Sequence, residues 1–133
     1  MNAESPKRVM RGCHIPGFEA VDGEFDCEIT RSEIVGQIPS TLTGTLFRNG
    51  PGRLKIGPHK YGHWFDGDGM LNAFTFRDGQ VHYRNRYVRT PKYLDETAAQ
   101  KILYRGIGTQ RPGGFLNNMF RFPGNAANTS VVY

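Results

Sequence analysis

Two alternating segments on either side of Asp78-Gly79 constrain the fold more than any other feature of the sequence. In residues 70–76, alternate side chains point to opposite faces of a strand, and both faces receive apolar residues, which indicates a strand covered on both sides. Residues 81–89 alternate in the same way. Asp-Gly is a preferred pair for a two-residue hairpin turn because the turn needs positive φ at both positions. The sequence therefore predicts an antiparallel hairpin that turns at residues 77–80.

The composition favours further short strands around this hairpin. The chain has 133 residues with 17 glycines, 8 prolines and 38% hydrophobic residues, a turn-rich balance that suits short strands better than long helices. A strand at residues 45–48 is predicted to end at a turn signal in residues 49–52. Thr90, followed by proline, predicts a short helix around 91–102, and another strand is predicted from Thr129. The expected fold class is all-β with one short helix.

Charge and cysteine usage exclude several classes of protein. The formal net charge is +5 and the pI is near 9.5, but the basic residues are scattered, and Lys7, Arg8 and Arg11 form the one loose cluster. We therefore expect no nucleic-acid partner. Cys13 and Cys27 have no C-x-x-C spacing, and the sequence shows neither a signal peptide nor an apolar run long enough to span a membrane. The expectation is a cytoplasmic protein with reduced thiols.

The residues alone identify no catalytic or metal site. Of the four histidines, His59 and His63 have a helical ligand spacing, but the glycines and proline around them oppose a helix. The Asp-Gly-Asp-Gly run at 66–69 lacks the remaining oxygen ligands of a calcium loop, so we assign Asp66 and Asp68 to a turn held by local hydrogen bonds. On this evidence the residues alone indicate a soluble, mostly β domain and no particular chemistry.

Four stretches, in order along the chain, resemble the carotenoid cleavage oxygenase family. They are Ile38-Pro39 with Leu42, Gly44, Thr45 and Leu46, which run into Phe47-Arg48-Asn49-Gly50-Pro51; His63-Trp64-Phe65-Asp66-Gly67-Asp68-Gly69-Met70; Tyr83-Arg84-Asn85-Arg86-Tyr87-Val88-Arg89-Thr90; and Asn128-Thr129-Ser130-Val131-Val132-Tyr133. The resemblance implies the N-terminal blades of a seven-bladed β-propeller. It further implies residues 1–37 as a leader and residues 38–133 as a partial propeller domain, truncated at its C-terminus.

The resemblance also implies an enzyme. Members of the carotenoid cleavage oxygenase family carry a non-haem Fe²⁺ bound by four histidines. They add O₂ across one double bond of a carotenoid, apocarotenoid or stilbene to give two carbonyl products. His14, His59, His63 and His82 match none of the ligand positions, so the Fe²⁺ ligands are expected in a C-terminal part beyond this chain. The chain alone is accordingly expected to be inactive. A polyene isomerase of the same family remains an alternative, as does a non-enzymatic apolar-ligand or partner-strand binder.

Two residues match site positions of the family. Thr129 matches a threonine near the open iron position, and Phe65 matches an aromatic residue of the substrate tunnel wall. Without the resemblance, they are an ordinary strand residue and a core side chain. We assign Arg48 and Arg86 to structural ion pairs. The resemblance also implies a peripheral membrane contact in the full protein.

Overall fold

The structure, a computed structural model, describes residues 20–21, 23–119 and 122–132. Its regular elements are, in chain order, strands β1 (Asp26–Ile29), β2 (Gly44–Arg53), β3 (Lys55–Ile56), β4 (His59–Lys60), β5 (Asp68–Arg77) and β6 (Gln80–Tyr87), then helices α1 (Pro91–Ala99) and α2 (Gly114–Asn118). Two 3₁₀ turns lie at Arg31–Glu33 and Trp64–Asp66. Among the residues discussed above, Lys7, Arg8, Arg11, Cys13, His14 and Tyr133 fall outside the described residues.

The main element is a four-stranded sheet in the order β1-β6-β5-β2, in which every neighbouring pair is antiparallel. Strands β3 and β4 form a separate two-stranded ladder. A four-stranded antiparallel sheet is the unit that a β-propeller repeats as a blade. The predicted fold class, all-β with a short helix inside 91–102, agrees with this arrangement.

The β5–β6 hairpin is confirmed with its turn at the predicted place. Asp78 and Gly79 have φ of 52° and 75°. Positive φ at both central positions is the requirement of the turn that matches the twist of the flanking strands. The register places Phe74 opposite Tyr83, and their ring centroids lie 4.9 Å apart.

Strand β2 continues through residues 49–52, so the predicted turn there is wrong. Because β2 lies at the edge of the sheet, it tolerates a proline that a central strand would exclude. The register shifts between Pro51 and Arg53, as in a β-bulge. Gly52 lies at this shift, and a Cβ there would be 2.6 Å from the Cβ of Met70. The sequence that resembles a turn therefore forms a bulge that brings β2 close to β5.

Strand β1 comes from the segment 1–37 that was predicted to be a leader. It pairs with β6, with Ile29 opposite Val81 and Asp26 opposite Arg84. The sheet therefore includes part of this segment, which was missed because four residues are too few to show an alternating pattern. Where the domain begins remains a prediction.

The two predicted ion pairs differ in outcome. The Arg86 guanidinium lies 3.2 Å from Asp26 Oδ2, so its ion pair is confirmed. Arg48 makes no ion pair with any residue that the structure describes, so that prediction is wrong. Its position explains the difference, because Arg48 is exposed on the edge strand opposite the uncharged Asn72.

The strand predicted from Thr129 is wrong as far as the described residues extend, because 129–132 contain no strand. The carbonyl oxygens of Ala127 and Ser130 accept hydrogen bonds from the side-chain amide of Asn49, at 2.9 and 3.2 Å. A side chain thus satisfies backbone groups that a neighbouring strand would otherwise bond. β-Branched residues favour a strand, but pairing decides whether one forms.

Helix α1 begins as predicted. The Thr90 hydroxyl accepts a hydrogen bond from the N–H of Tyr93 at 3.1 Å, and a proline occupies the first turn. The helix ends before Gln100, which has left-handed φ. Its buried residues are Lys92 and Glu96. The helix is therefore held through charged side chains instead of the usual apolar stripe.

These charges belong to a buried ionic cluster of Arg53, Tyr61, Asp68, Lys92 and Glu96. Asp68 Oδ2 lies 2.6 Å from Arg53 Nε, and Asp68 Oδ1 lies 2.8 Å from Lys92 Nζ. Lys92 Nζ also lies 3.0 Å from Glu96 Oε2. The Tyr61 hydroxyl lies 2.6 Å from Glu96 Oε2 and 2.9 Å from Asp68 Oδ2. Two cations and two carboxylates thus balance one another in the interior, which is the condition for keeping charges there.

The cluster corrects the assignment of Asp68 to a local turn. Asp68 is fully buried at the first position of β5 and binds residues from β2 and α1. Burial, followed by the hydrogen bond to Glu96, raises the pKa of Tyr61 far above its ordinary value, so its hydroxyl stays protonated and can donate. A spacing rule could not find the contacts of Asp68 with Arg53 and Lys92, because they join residues 15 and 24 positions apart.

Removal of one cation from this cluster is expected to release α1. Lys92→Met leaves two buried carboxylates facing one guanidinium, which costs about 3 kcal/mol or more. In the complete gene product, hydrogen exchange in a peptide that spans residues 88–104 should accelerate by roughly two orders of magnitude. Lys60→Met, at an exposed lysine of β4, is the matched control and should leave exchange in this peptide unchanged. Equal exchange in the two variants would contradict the prediction.

Candidate functional site

The 3₁₀ turn Trp64–Asp66 presents two aromatic rings to the surface. The His63 Nδ1 atom accepts a hydrogen bond from the N–H of Phe65 at 3.1 Å, and the N–H of Gly67 donates to the Trp64 carbonyl at 3.1 Å. The Trp64 and Phe65 rings stack with centroids 4.0 Å apart and remain 45% and 41% exposed. The turn therefore holds a flat apolar surface open to contact instead of burying it.

The buried side chain of Asp66 fixes this turn to the loop 107–109. The Asp66 carboxylate accepts hydrogen bonds from the N–H of Ile107 at 2.6 Å, the N–H of Gly108 at 2.9 Å and the hydroxyl of Thr109 at 2.7 Å. Burial by itself would raise the pKa of Asp66, but these donors lower the pKa below its ordinary value and keep the group ionised. The assignment of Asp66 to a local turn is therefore incomplete, since it binds a loop about forty residues away.

Asn128 fixes the turn from a second direction. It is buried, and its side-chain N–H groups donate to the carbonyls of Phe65 at 2.8 Å and Gly67 at 2.7 Å. The N–H of Gly69 donates to the Ala126 carbonyl at 2.7 Å, which seats the same segment on the start of β5. Gly69 has to be a glycine, because a Cβ there would lie 2.0 Å from the Ala127 carbonyl oxygen.

The structure thereby brings the two sequence-predicted site residues into one region. Thr129 is exposed and follows Asn128, whose side chain bonds the carbonyl of Phe65. Phe65 is half exposed and lies outside the core, in agreement with a wall position. The catalytic role of Thr129 and the substrate-binding role of Phe65 remain predictions. Asn128 could not be identified as a site residue from the sequence, because an amide that hydrogen-bonds to a turn about sixty residues away leaves no local pattern.

The described histidines do not form a metal site. His59 is exposed in β4, the Nδ1 atom of His63 is occupied by the N–H of Phe65, and His82 Nε2 lies 2.8 Å from Asp26 Oδ1. Across residues 20–21, 23–119 and 122–132, no group of three or more histidine, cysteine, aspartate or glutamate side chains could hold a metal ion. A resident metal would therefore need ligands from outside these residues.

A second exposed surface lies after α1, in residues 107–119 and 122, and we call it the apolar segment. Its large apolar side chains are mostly exposed: Ile107 73%, Phe115 76%, Leu116 79%, Met119 40% and Phe122 95%. Phe115 and Met119 also line an open cleft of about 290 Å³. No helix within the described part of the chain is long and apolar enough to cross a membrane. Such a concentration of exposed apolar side chains is typical of an interaction surface.

Comparison with known proteins identifies the family. The family profile described as "Retinal pigment epithelial membrane protein" matches residues 18–133. The apocarotenoid-15,15′-oxygenase of Synechocystis is 44% identical over 120 residues, which cover 88% of this chain and 24% of that protein. The human β,β-carotene 15,15′-dioxygenase is 42% identical over 93 residues, which cover 70% of this chain and 17% of that protein.

Solved structures agree with the sequence comparison. The crystal structure of the cobalt-substituted Synechocystis oxygenase superposes with a TM-score of 0.80 at 44% identity, and the match covers 86% of this chain and 24% of that one. The expectation of an all-β propeller fold is thereby confirmed. The chain spans about a quarter of the length of the apocarotenoid oxygenase that it matches. By sequence and by fold, this chain belongs to the carotenoid cleavage oxygenase family.

Proposed function

We propose that the complete protein is a metal-dependent dioxygenase that cleaves one carbon–carbon double bond of a carotenoid, an apocarotenoid or a stilbene with O₂. The double bond breaks, and each oxygen atom enters one of two carbonyl products. The observation that carries the proposal is the stacked pair Trp64 and Phe65, which a doubly anchored turn holds half exposed. A polyene presents the same flat apolar shape to such a pair.

The residues of this chain act by binding and orientation. The rings of Trp64 and Phe65 supply dispersion and stacking along one side of the substrate and exclude water from it. Thr129, exposed next to the anchored turn, would present a small side chain beside the reacting bond and restrict where O₂ approaches. Both roles depend on rigidity, since a substrate held loosely exposes several double bonds to attack.

We propose Fe²⁺ as the metal, with its ligands outside the described residues. When bound, a ferrous ion supplies the activation of O₂ that no side chain can supply, and imidazole ligands suit it. The described part of the chain contributes no ligand set, so its contribution to catalysis is the substrate wall and the placement of Thr129.

Shortening Phe65 tests the wall. Phe65→Ala in the complete gene product should lower kcat/KM for an apocarotenal roughly tenfold to a hundredfold, because removal of a buried aromatic contact costs about 1.5–3 kcal/mol. Phe47→Ala is the matched control, since Phe47 is 43% exposed against 41% for Phe65 but lies on β2. Chromatography of the products, with melting temperatures for both variants, gives the measurement.

Equal losses in the two variants would contradict a substrate wall at Phe65. The products also separate the alternatives. Two carbonyl fragments with oxygen consumption indicate cleavage, a rearranged polyene of unchanged composition indicates an isomerase, and tight binding without turnover indicates a non-enzymatic binder.

We propose further that the complete protein is a cytoplasmic peripheral membrane protein that contacts lipid through the apolar segment. Carotenoid-like substrates dissolve in lipid, and the exposed Phe115, Leu116 and Phe122 are the side chains that insert at a membrane interface. Arg105 and Arg111 lie in the same part of the sequence, as cations do in interfacial segments. This surface supports transient attachment to a membrane.

The membrane proposal predicts a loss of vesicle binding. Phe115→Ser with Leu116→Ser should weaken partition to phosphatidylcholine vesicles at least about tenfold, because each exposed apolar side chain contributes about 1.5–3 kcal/mol when buried in lipid. Val35→Ser changes a fully exposed apolar residue outside the segment and should leave partition unaltered. Cosedimentation of both variants decides between them, and equal binding would refute a role for the apolar segment.

A further inference from the structure

The segment that carries Thr129 is held by side-chain amides from two sides. The Asn49 amide of β2 donates to the carbonyls of Ala127 and Ser130, which bracket Thr129. The Asn128 amide donates instead to the carbonyls of Phe65 and Gly67, in the 3₁₀ turn Trp64–Asp66 and the residue after it, which we call the aromatic turn. Ala127 has left-handed φ of 50°, which turns the chain between these contacts. A segment without secondary structure thus has its backbone fixed at several points.

Asn49 and Asn128 contact different parts of the structure. Asn49 ties the segment to the sheet and, among the described residues, forms no hydrogen bond with the aromatic turn. Asn128 uses both of its N–H donors on the turn itself, at Phe65 and Gly67. Asn128 is therefore the contact that relates Thr129 to Phe65.

We infer that Asn128 is a positioning residue: its amide couples the aromatic turn to the segment that carries Thr129 and thereby fixes the spacing of Phe65 and Thr129. The inference rests on the proposed function, in which a polyene lies against Phe65 and reacts beside Thr129. Asn128 touches no substrate. It acts by fixing the spacing of two residues that do, and this spacing determines which double bond is presented to O₂.

The mechanical link is tested by hydrogen exchange in the complete gene product. Asn128→Ala should accelerate exchange about tenfold or more in peptides that cover residues 61–68 and 124–132, because both ends of the link are released. Asn49→Ala should accelerate exchange in residues 124–132 and leave 61–68 at the wild-type rate. Gln37→Ala, which removes an exposed side-chain amide that lies before both peptides in the sequence, should leave the exchange rate of both peptides unchanged.

The functional consequence is tested by kinetics and by product identity. Asn128→Ala should keep KM within about twofold, since the apolar wall remains, while kcat falls by roughly one to two orders of magnitude and cleavage spreads to neighbouring double bonds. Asn128→Ser, which retains one donor at shorter reach, should be intermediate and covers the case in which the alanine variant does not fold. A merely structural role would reduce the amount of active protein and leave the product pattern unchanged.

Three results would be decisive against the inference or its basis. Wild-type exchange in residues 61–68 of Asn128→Ala would overturn the coupling. Faster exchange with an unchanged product pattern would overturn the positioning role. If the wild-type protein cleaves no polyene, the proposed function fails, whereas the exchange experiment still establishes or refutes the link between Phe65 and Thr129.

Discussion

The rest of the structure depends on the buried carboxylate of Asp68. Each of its oxygens is close to a different cation, Arg53 from β2 and Lys92 from α1, and it lies 2.9 Å from the Tyr61 hydroxyl. Because a buried charge is costly unless its partners are correctly placed, this group fixes three elements relative to one another. Tyr61 and Asp68 also mark the two ends of the segment that carries the aromatic turn. The surface rings of Trp64 and Phe65 thus extend from a segment that begins and ends in the same buried cluster.

This construction solves a problem that an exposed apolar site always meets. Apolar rings collapse into a core unless something holds them out, and holding them costs conformational entropy. Here hydrogen bonds of buried polar groups offset that loss of entropy. The Asp66 carboxylate accepts three hydrogen bonds from the loop 107–109, and the Asn128 amide donates to the carbonyls of Phe65 and Gly67. Hydrogen bonds are directional, so they specify one orientation of the turn where apolar packing would allow several. The largest fully buried side chains among the described residues are accordingly mostly polar: Glu96, Asn85 and Asp68, with Met70 as the apolar one.

Local features of the chain could be predicted from the sequence, and distant ones could not. The Asp78-Gly79 hairpin and the start of α1 depend on φ preferences and capping within a few residues, and both are confirmed. The continuation of β2 through Pro51 depends on the strand being at an edge, which only the pairing reveals. The contacts of Asp68 with Arg53 and Lys92, and of Asn128 with Phe65, join residues 15 to 63 positions apart. One signal was available in advance: the α1 sequence has no apolar stripe, and Lys92 and Glu96 are one helical turn apart, which is typical of a helix held by charge.

Side chains are more deeply buried at one end of the sheet than at the other. At the start of β5, residues 68–70 are buried beneath the cluster and the 126–130 segment, whereas Phe74 and Phe76 near the hairpin are half-buried. On β2 the same gradient leaves Leu46 and Phe47 about half exposed. A propeller blade packs its faces against its neighbours, and the hairpin end offers apolar surface for that contact. The aromatic turn lies at the opposite end, where this chain already supplies the hydrogen bonds that fix it. The geometry of Phe65 and Thr129 is therefore set within the blade, while the stability of the blade depends on what packs against the other end.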